Sequence, residues 1–234
     1  MTHAFPPPAV PSVAIAGEAA RFPVRRILCV GRNYAAHARE MGRDPDREPP
    51  FFFAKPADAV VDAGAEVGAR IPYPPLTSNL HHEVELVVAI GKGGSNIAAS
   101  QALEHVFGYA VGFDLTRRDL QNAAKDKGQP WEWGKGFDRS APIAPIHRVA
   151  DVGHPSEGRI WAEIDGKPRQ EGDLRELIWP IAEVIAIASK SMALAPGDLI
   201  FTGTPSGVGP ITPGQTVRGG VAGLGDVAVT VGVR

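Results

Sequence analysis

Apolar residues in this chain fall mostly into short runs and two-residue alternations, and only a few stretches carry a helical period. Residues 24–30, VRRILCV, read as a strand entering a turn at Gly31. Residues 33–42, NYAAHAREMG, read as a short helix, with Asn33 a candidate N-cap, Ala35, Ala36 and Ala38 strong helix formers and Gly42 a stop. The polar loop RDPDREPP follows, and then FFFAKPADAVV, a strand-like run ended by Pro56. LHHEVELVVAIG, residues 80–91, is a further strand. SQALEHVFGYAVGFDLTRRDLQ gives a short helix, a strand over residues 109–114 and a helical start at Thr116. The clearest amphipathic helix covers residues 181–192 and is closed by Pro196-Gly197. After it, DLIFTGTPSGVG, QTVRGGV and DVAVTVGVR are short strands separated by Gly and Pro turns. The pattern predicts a β-rich α+β chain with few, short helices. Residues 1–22, with the proline cluster FPPPAVP, read as an N-terminal arm ahead of one main domain over residues 23–234.

Composition agrees with one domain plus an appendage at 234 residues. The 27 glycines and 22 prolines are spread along the chain, which fits many turns rather than a disordered tract. A net charge of −2 with no basic stripe lacks the electrostatic footprint of a nucleic-acid binder. No apolar segment approaches the roughly 18 residues of a membrane span, and the first residues lack the pattern of a secretory signal. The single cysteine, Cys29, reads as a small buried hydrophobe and points to a reducing, cytoplasmic setting.

One strand does not fit the plain pattern. Glu83 and Glu85 stand two residues apart, with Val84 between them and the run Leu86, Val87, Val88, Ala89, Ile90 after them. Residues i and i+2 of a strand share a face, about 6.6 Å apart along the chain. A strand that is apolar on both faces is buried on both. Two carboxylates in a dry place need positive charge between them. A divalent cation provides it, and Asp114, at the end of another apolar strand, is a third acid. Three carboxylates without paired cysteines or a histidine cluster favour magnesium, manganese or calcium over zinc. The alternative is a one-sided sheet with both glutamates in solvent. His81 and His82 point opposite ways in an extended chain, so at most one shares the acids' side, and both read as supporting or structural.

GRNYAAHAREMG, FFFAKPADAVV, HHEVELVVAIG, GYAVGFDLTRRDLQ, WGKGFDRSAPI, GDLIFTGTPSGVG and LGDVAVTV occur in order over about residues 24–231. Together they resemble the fumarylacetoacetate hydrolase family, in its short acylpyruvate hydrolase branch. FDLTRRDLQ is most similar to members that cleave fumarylpyruvate in gentisate breakdown. GTPSGVG is no phosphate loop, because it lacks the Gly-Lys-Ser/Thr ending.

The resemblance implies mixed β-sheets rolled around a metal site, usually in a homodimer. It implies magnesium or manganese held by Glu83, Glu85 and Asp114, and cleavage of a carbon–carbon bond beside a ketone. His37 and Glu40 match a pair that activates water, and three residues apart they would share a helix face; the plain alternative is a surface pair. Lys135 matches a lysine facing the substrate, against a solvated lysine in a Gly-rich loop. Arg118 and Gln121 follow Asp114 by four and seven, one helical face that can point back over the metal, with Arg117 turned away. Thr204 matches a loop threonine that binds a substrate carboxylate, against an ordinary turn threonine. Larger relatives carry a fourth acid ligand that is absent here. The implied substrate is a 2,4-dioxo acid. Alternatives are oxaloacetate decarboxylation, isomerase or decarboxylase work on unsaturated diacids of homoprotocatechuate breakdown, and a non-catalytic metal- or acid-binding module. Arg32, Arg39 and Arg43 are candidates to meet the far end of the substrate.

Overall fold

The computed structural model describes residues 2–35 and 48–233. The helix expected over residues 33–42 lies mostly outside them. So do His37, Glu40, Arg39 and Arg43.

The centre is the strand Val84–Ile90, buried at every residue. Its alternation divides it between two cores. Val84, Leu86, Val88 and Ile90 belong to a cluster shared with Ile160, Val217, Val227 and Val229. Val87 and Ala89 belong to a second cluster with Ile27, Cys29, Ala110, Ile143, Leu199 and Phe201. Cys29 is therefore the buried hydrophobe expected of it, and burial pushes its thiol pKa well up.

The strand runs in an eight-stranded mixed sheet. It pairs antiparallel with Asp198–Phe201 on one side and Val106–Phe113 on the other. Beyond Asp198–Phe201 lie Arg26–Gly31, in parallel, and then Phe51–Lys55, antiparallel. A second sheet of Lys167–Asp173, Arg159–Ile164, Thr216–Val221, Asp226–Gly232 and Ala69–Pro72 packs its apolar residues into the first core. The hairpin Ser12–Ala14 with Arg21–Pro23 adds Val13, Ile15 and Phe22 to the second. The expected β-rich α+β fold is what forms, with sheets curled around a common site.

One local expectation differs. The helix after Asp114 begins at Arg118, because Thr116 and Arg117 first pair antiparallel with His81 and Leu80. Arg118 and Gln121 therefore reach the acids from a helix that Asp114 does not belong to. Asn33, expected as the N-cap of a helix that lies mostly outside the described residues, has long-range partners. Its amide is fully buried, donates to the carbonyls of Trp179 (3.0 Å) and Thr202 (2.7 Å), and accepts from the Trp179 N–H at 2.7 Å. It ties three distant segments together. Asn33→Ala removes three hydrogen bonds from a buried or half-buried setting and is expected to cost about 3 kcal/mol, or roughly 10 °C in Tm, read by thermal unfolding.

Candidate metal and substrate site

Strand register assembles the acids. In the antiparallel pair, Val84 stands opposite Phe113 and Glu85 opposite Gly112. Glu83, in the break between Leu80–His82 and Val84–Ile90, meets Asp114 just past the other strand's end, and the Asp114 N–H donates to the Glu83 carbonyl at 2.9 Å. Glu85 continues the Val87–Ala89 face. One oxygen from each of Glu83, Glu85 and Asp114 lies within 4.8 Å of the others, and all three residues are buried. The solvent-facing alternative is excluded.

Among the described residues, three buried cations surround the acids. Lys135 Nζ donates to Glu83 Oε2 at 2.7 Å and Asp114 Oδ2 at 2.6 Å. Arg118 donates to Glu83 Oε1. Lys55 Nζ faces Asp114 Oδ1 at 2.8 Å, an ion pair outside hydrogen-bond alignment, and donates to the carbonyls of Leu115 and Lys135. Glu85 accepts from the Gly203 N–H at 2.7 Å. Burial, followed by the charges of Asp114 and Glu83, pushes the Glu85 pKa well up. Lys135 is held above its ordinary value because the attraction of Asp114 and Glu83 outweighs burial, the largest single influence and an opposing one.

This donor set fits a divalent cation. Among the described residues, three hard carboxylate oxygens converge with no histidine or cysteine in the group, the chemistry of magnesium, manganese or calcium. Bringing positive charge beside Glu85 would also relieve the like-charge strain that now favours its protonated form.

A cavity of about 90 Å³ opens over the acids, lined among others by Lys135, Arg118, Gln121 and Thr204, so all four expected residues of the described chain reach it. Arg118 also donates to Gln121 Oε1 at 2.5 Å and to His81 Nδ1 at 3.3 Å. Burial and the Arg118 charge lower the His81 pKa to about 4. A neutral His81 can accept from Arg118 while its other ring nitrogen bonds Asn79 Oδ1 at 3.0 Å. His82 points the other way, to Gln170 at 2.9 Å. Both histidines support the site, as the alternation suggests. Arg117 binds the Trp133 and Pro75 carbonyls instead. Arg32 lines the cavity with its guanidinium 4.8 Å from the Phe51 ring.

Sequence reasoning passed over three contributors. Lys55 ends an apolar strand, and a lysine in that position was the available signal. Gln170 is buried in the second sheet; its Nε2 donates to Thr204 Oγ1 at 2.8 Å and to the Pro205 carbonyl at 2.8 Å, which orients the Thr204 loop. Gly203 has φ +102°, and a Cβ there would lie 2.7 Å from Asn33 Cβ. A side chain at Gly203 would displace the amide that Glu85 binds.

A curled β-sheet carrying three buried acids and their cationic partners defines a carboxylate-centred metal-site scaffold. Residues 26–232 match the model of the fumarylacetoacetate (FAA) hydrolase C-terminal domain, and the chain belongs to the fumarylacetoacetate hydrolase family. It is 54% identical to fumarylpyruvate hydrolase from Pseudomonas aeruginosa, whose crystal structure is a complex with Mn2+ and pyruvate; the match covers 100% of both chains with a TM-score of 0.98. It is 43% identical to a fumarylpyruvate hydrolase of Ralstonia sp, over 82% of this chain and 98% of that one. It is 41% identical to a mitochondrial oxaloacetate tautomerase of Oryza sativa subsp. japonica, over 89% and 92% respectively.

Proposed function

We propose that the chain is a metal-dependent acylpyruvate hydrolase that cleaves fumarylpyruvate to fumarate and pyruvate. The observation that carries this reading is the buried convergence of Glu83, Glu85 and Asp114 beneath a cavity, in a chain 54% identical over its whole length to a fumarylpyruvate hydrolase.

Glu83, Glu85 and Asp114 would hold the cation, magnesium or manganese. When bound, it supplies positive charge for the keto-acid head and for the pyruvate enolate that leaves. His37, supported by Glu40, takes a proton from the attacking water. Lys135 and Arg118 lie among the acids at the cavity floor, where a cationic hydrogen-bond donor can orient the substrate and stabilise a developing oxyanion. Thr204, fixed by Gln170, offers a hydroxyl at the same wall. The proton goes to His37, hydroxide adds to the C4 carbonyl, the C3–C4 bond breaks with its electron pair leaving on the pyruvate unit as its enolate, and C3 takes the proton back from His37. This reading includes a homodimer in the cytoplasm.

A second reading follows from the oxaloacetate tautomerase relative: enolate chemistry on oxaloacetate, tautomerisation or decarboxylation, at the same acids. That chemistry needs no attacking water. The test assays the wild type and His37→Ala on fumarylpyruvate, acetylpyruvate and oxaloacetate with added Mn2+ or Mg2+. Acylpyruvate cleavage, followed by loss of enol absorbance, is expected to fall roughly a hundredfold in the variant, and oxaloacetate turnover much less. Equal proportional losses would overturn the water-activation role. Turnover of oxaloacetate alone by the wild type would favour the second reading.

A further inference from the structure

We propose that Lys125 selects for acylpyruvates whose acyl group ends in a carboxylate. This rests on the acylpyruvate reading above and names a determinant of substrate choice within it.

Arg118, Gln121 and Lys125 occur at i, i+3 and i+7 of the helix Arg118–Asp126, so they form one stripe. All three line the cavity. The stripe is graded. Arg118 is buried and bonded to Glu83 at the acid floor. Gln121, also buried, stands about one turn further out. Lys125 is exposed, at the mouth. At about 1.5 Å rise per residue, Arg118 and Lys125 are about 10 Å apart along the axis.

The helix thus works as a ruler. The keto-acid head belongs at the floor, beside the acids and Arg118. An extended carbon chain advances about 1.2 Å per bond. A seven-carbon diacid therefore places its second carboxylate about 7 Å from its first, within reach of a lysine two turns along the helix. A five-carbon acylpyruvate ending in a methyl stops short of it. The cavity also has aromatic lining: Phe53 and Trp131 contribute rings with centroids 5.9 Å apart. That surface suits the uncharged, flat middle of an unsaturated diacid. An ammonium at a wet mouth acts as a point charge without fixed geometry, so it favours a terminal carboxylate without demanding one.

The test compares kcat/KM for fumarylpyruvate and acetylpyruvate, which share a head group and differ in the far carboxylate. In Lys125→Ala the ratio of the two is expected to fall about fivefold, through KM for fumarylpyruvate, as for an exposed ion pair. In Lys125→Glu it is expected to fall roughly twentyfold, because repulsion replaces attraction. Lys125→Arg should restore most of it. In the wild type, KM for fumarylpyruvate should rise with salt more steeply than KM for acetylpyruvate. Equal losses on both substrates, or an unchanged ratio in Lys125→Glu, would overturn the assignment. A wild type that cleaves neither acylpyruvate would overturn the hydrolase reading, and this inference with it.

Discussion

Glu85→Gln is expected to lower turnover about a thousandfold and to remove most divalent-cation binding. The side chain is buried, and one carboxylate oxygen accepts the Gly203 N–H at 2.7 Å. Glutamine keeps the shape and can keep that bond through its carbonyl. It loses the negative charge that, with Glu83 and Asp114, would hold the cation. Without the cation, the developing enolate charge loses several kcal/mol of stabilisation, and each 1.36 kcal/mol is tenfold in rate. The fold should not suffer. Glu85 sits in a dry place facing two other carboxylates, so neutralising it removes repulsion. Metal-free Glu85→Gln should therefore melt no lower than metal-free wild type, while the rise in Tm that Mn2+ gives the wild type disappears. Calorimetry with Mn2+ that found an unchanged affinity would refute the ligand assignment.

Lys135→Met is expected to have the opposite stability signature with a smaller loss of rate. Lys135 is buried, bonded to Glu83 and Asp114, and 4.9 Å from the Phe53 ring. Methionine fills similar volume but leaves two buried acids with less compensation. Removing one partner of a buried pair costs about 3–5 kcal/mol. Saturating Mn2+ should recover much of that stability, since the cation supplies the missing positive charge. It should not recover turnover, which is expected to stay down about a hundredfold if the ammonium acts on substrate. A variant that regained both with Mn2+ would make Lys135 a purely structural counter-charge.

Local chemistry carried much of this fold. The two-residue alternation of strands and the apolar period of residues 181–192 were visible because they arise from each segment's own geometry. The helix observed there is Ile181–Ser191. Glu83, Glu85 and Asp114 stood out because charge inside or at the end of an apolar strand conflicts with burial unless something compensates it. The ordered motifs gave the family, which residues 26–232 bear out.

What sequence could not decide were the partners of individual side chains. Asn33 reads as a helix cap, and no local signal shows that its amide also donates to carbonyls 146 and 169 residues away. Lys55 could have been a solvated strand end; pairing of Phe51–Lys55 with Arg26–Gly31 sets it in the sheet where its ammonium meets Asp114. The helix start moved to Arg118 because a two-residue ladder with Leu80 and His81 claimed Thr116 and Arg117 first. By itself, then, the sequence determined the periods, the turns and the presence of charge in apolar runs, since these depend on near neighbours. Tertiary structure alone decided which cation faces which acid and which amide holds Glu85, because strand register brings together groups that no local preference can connect.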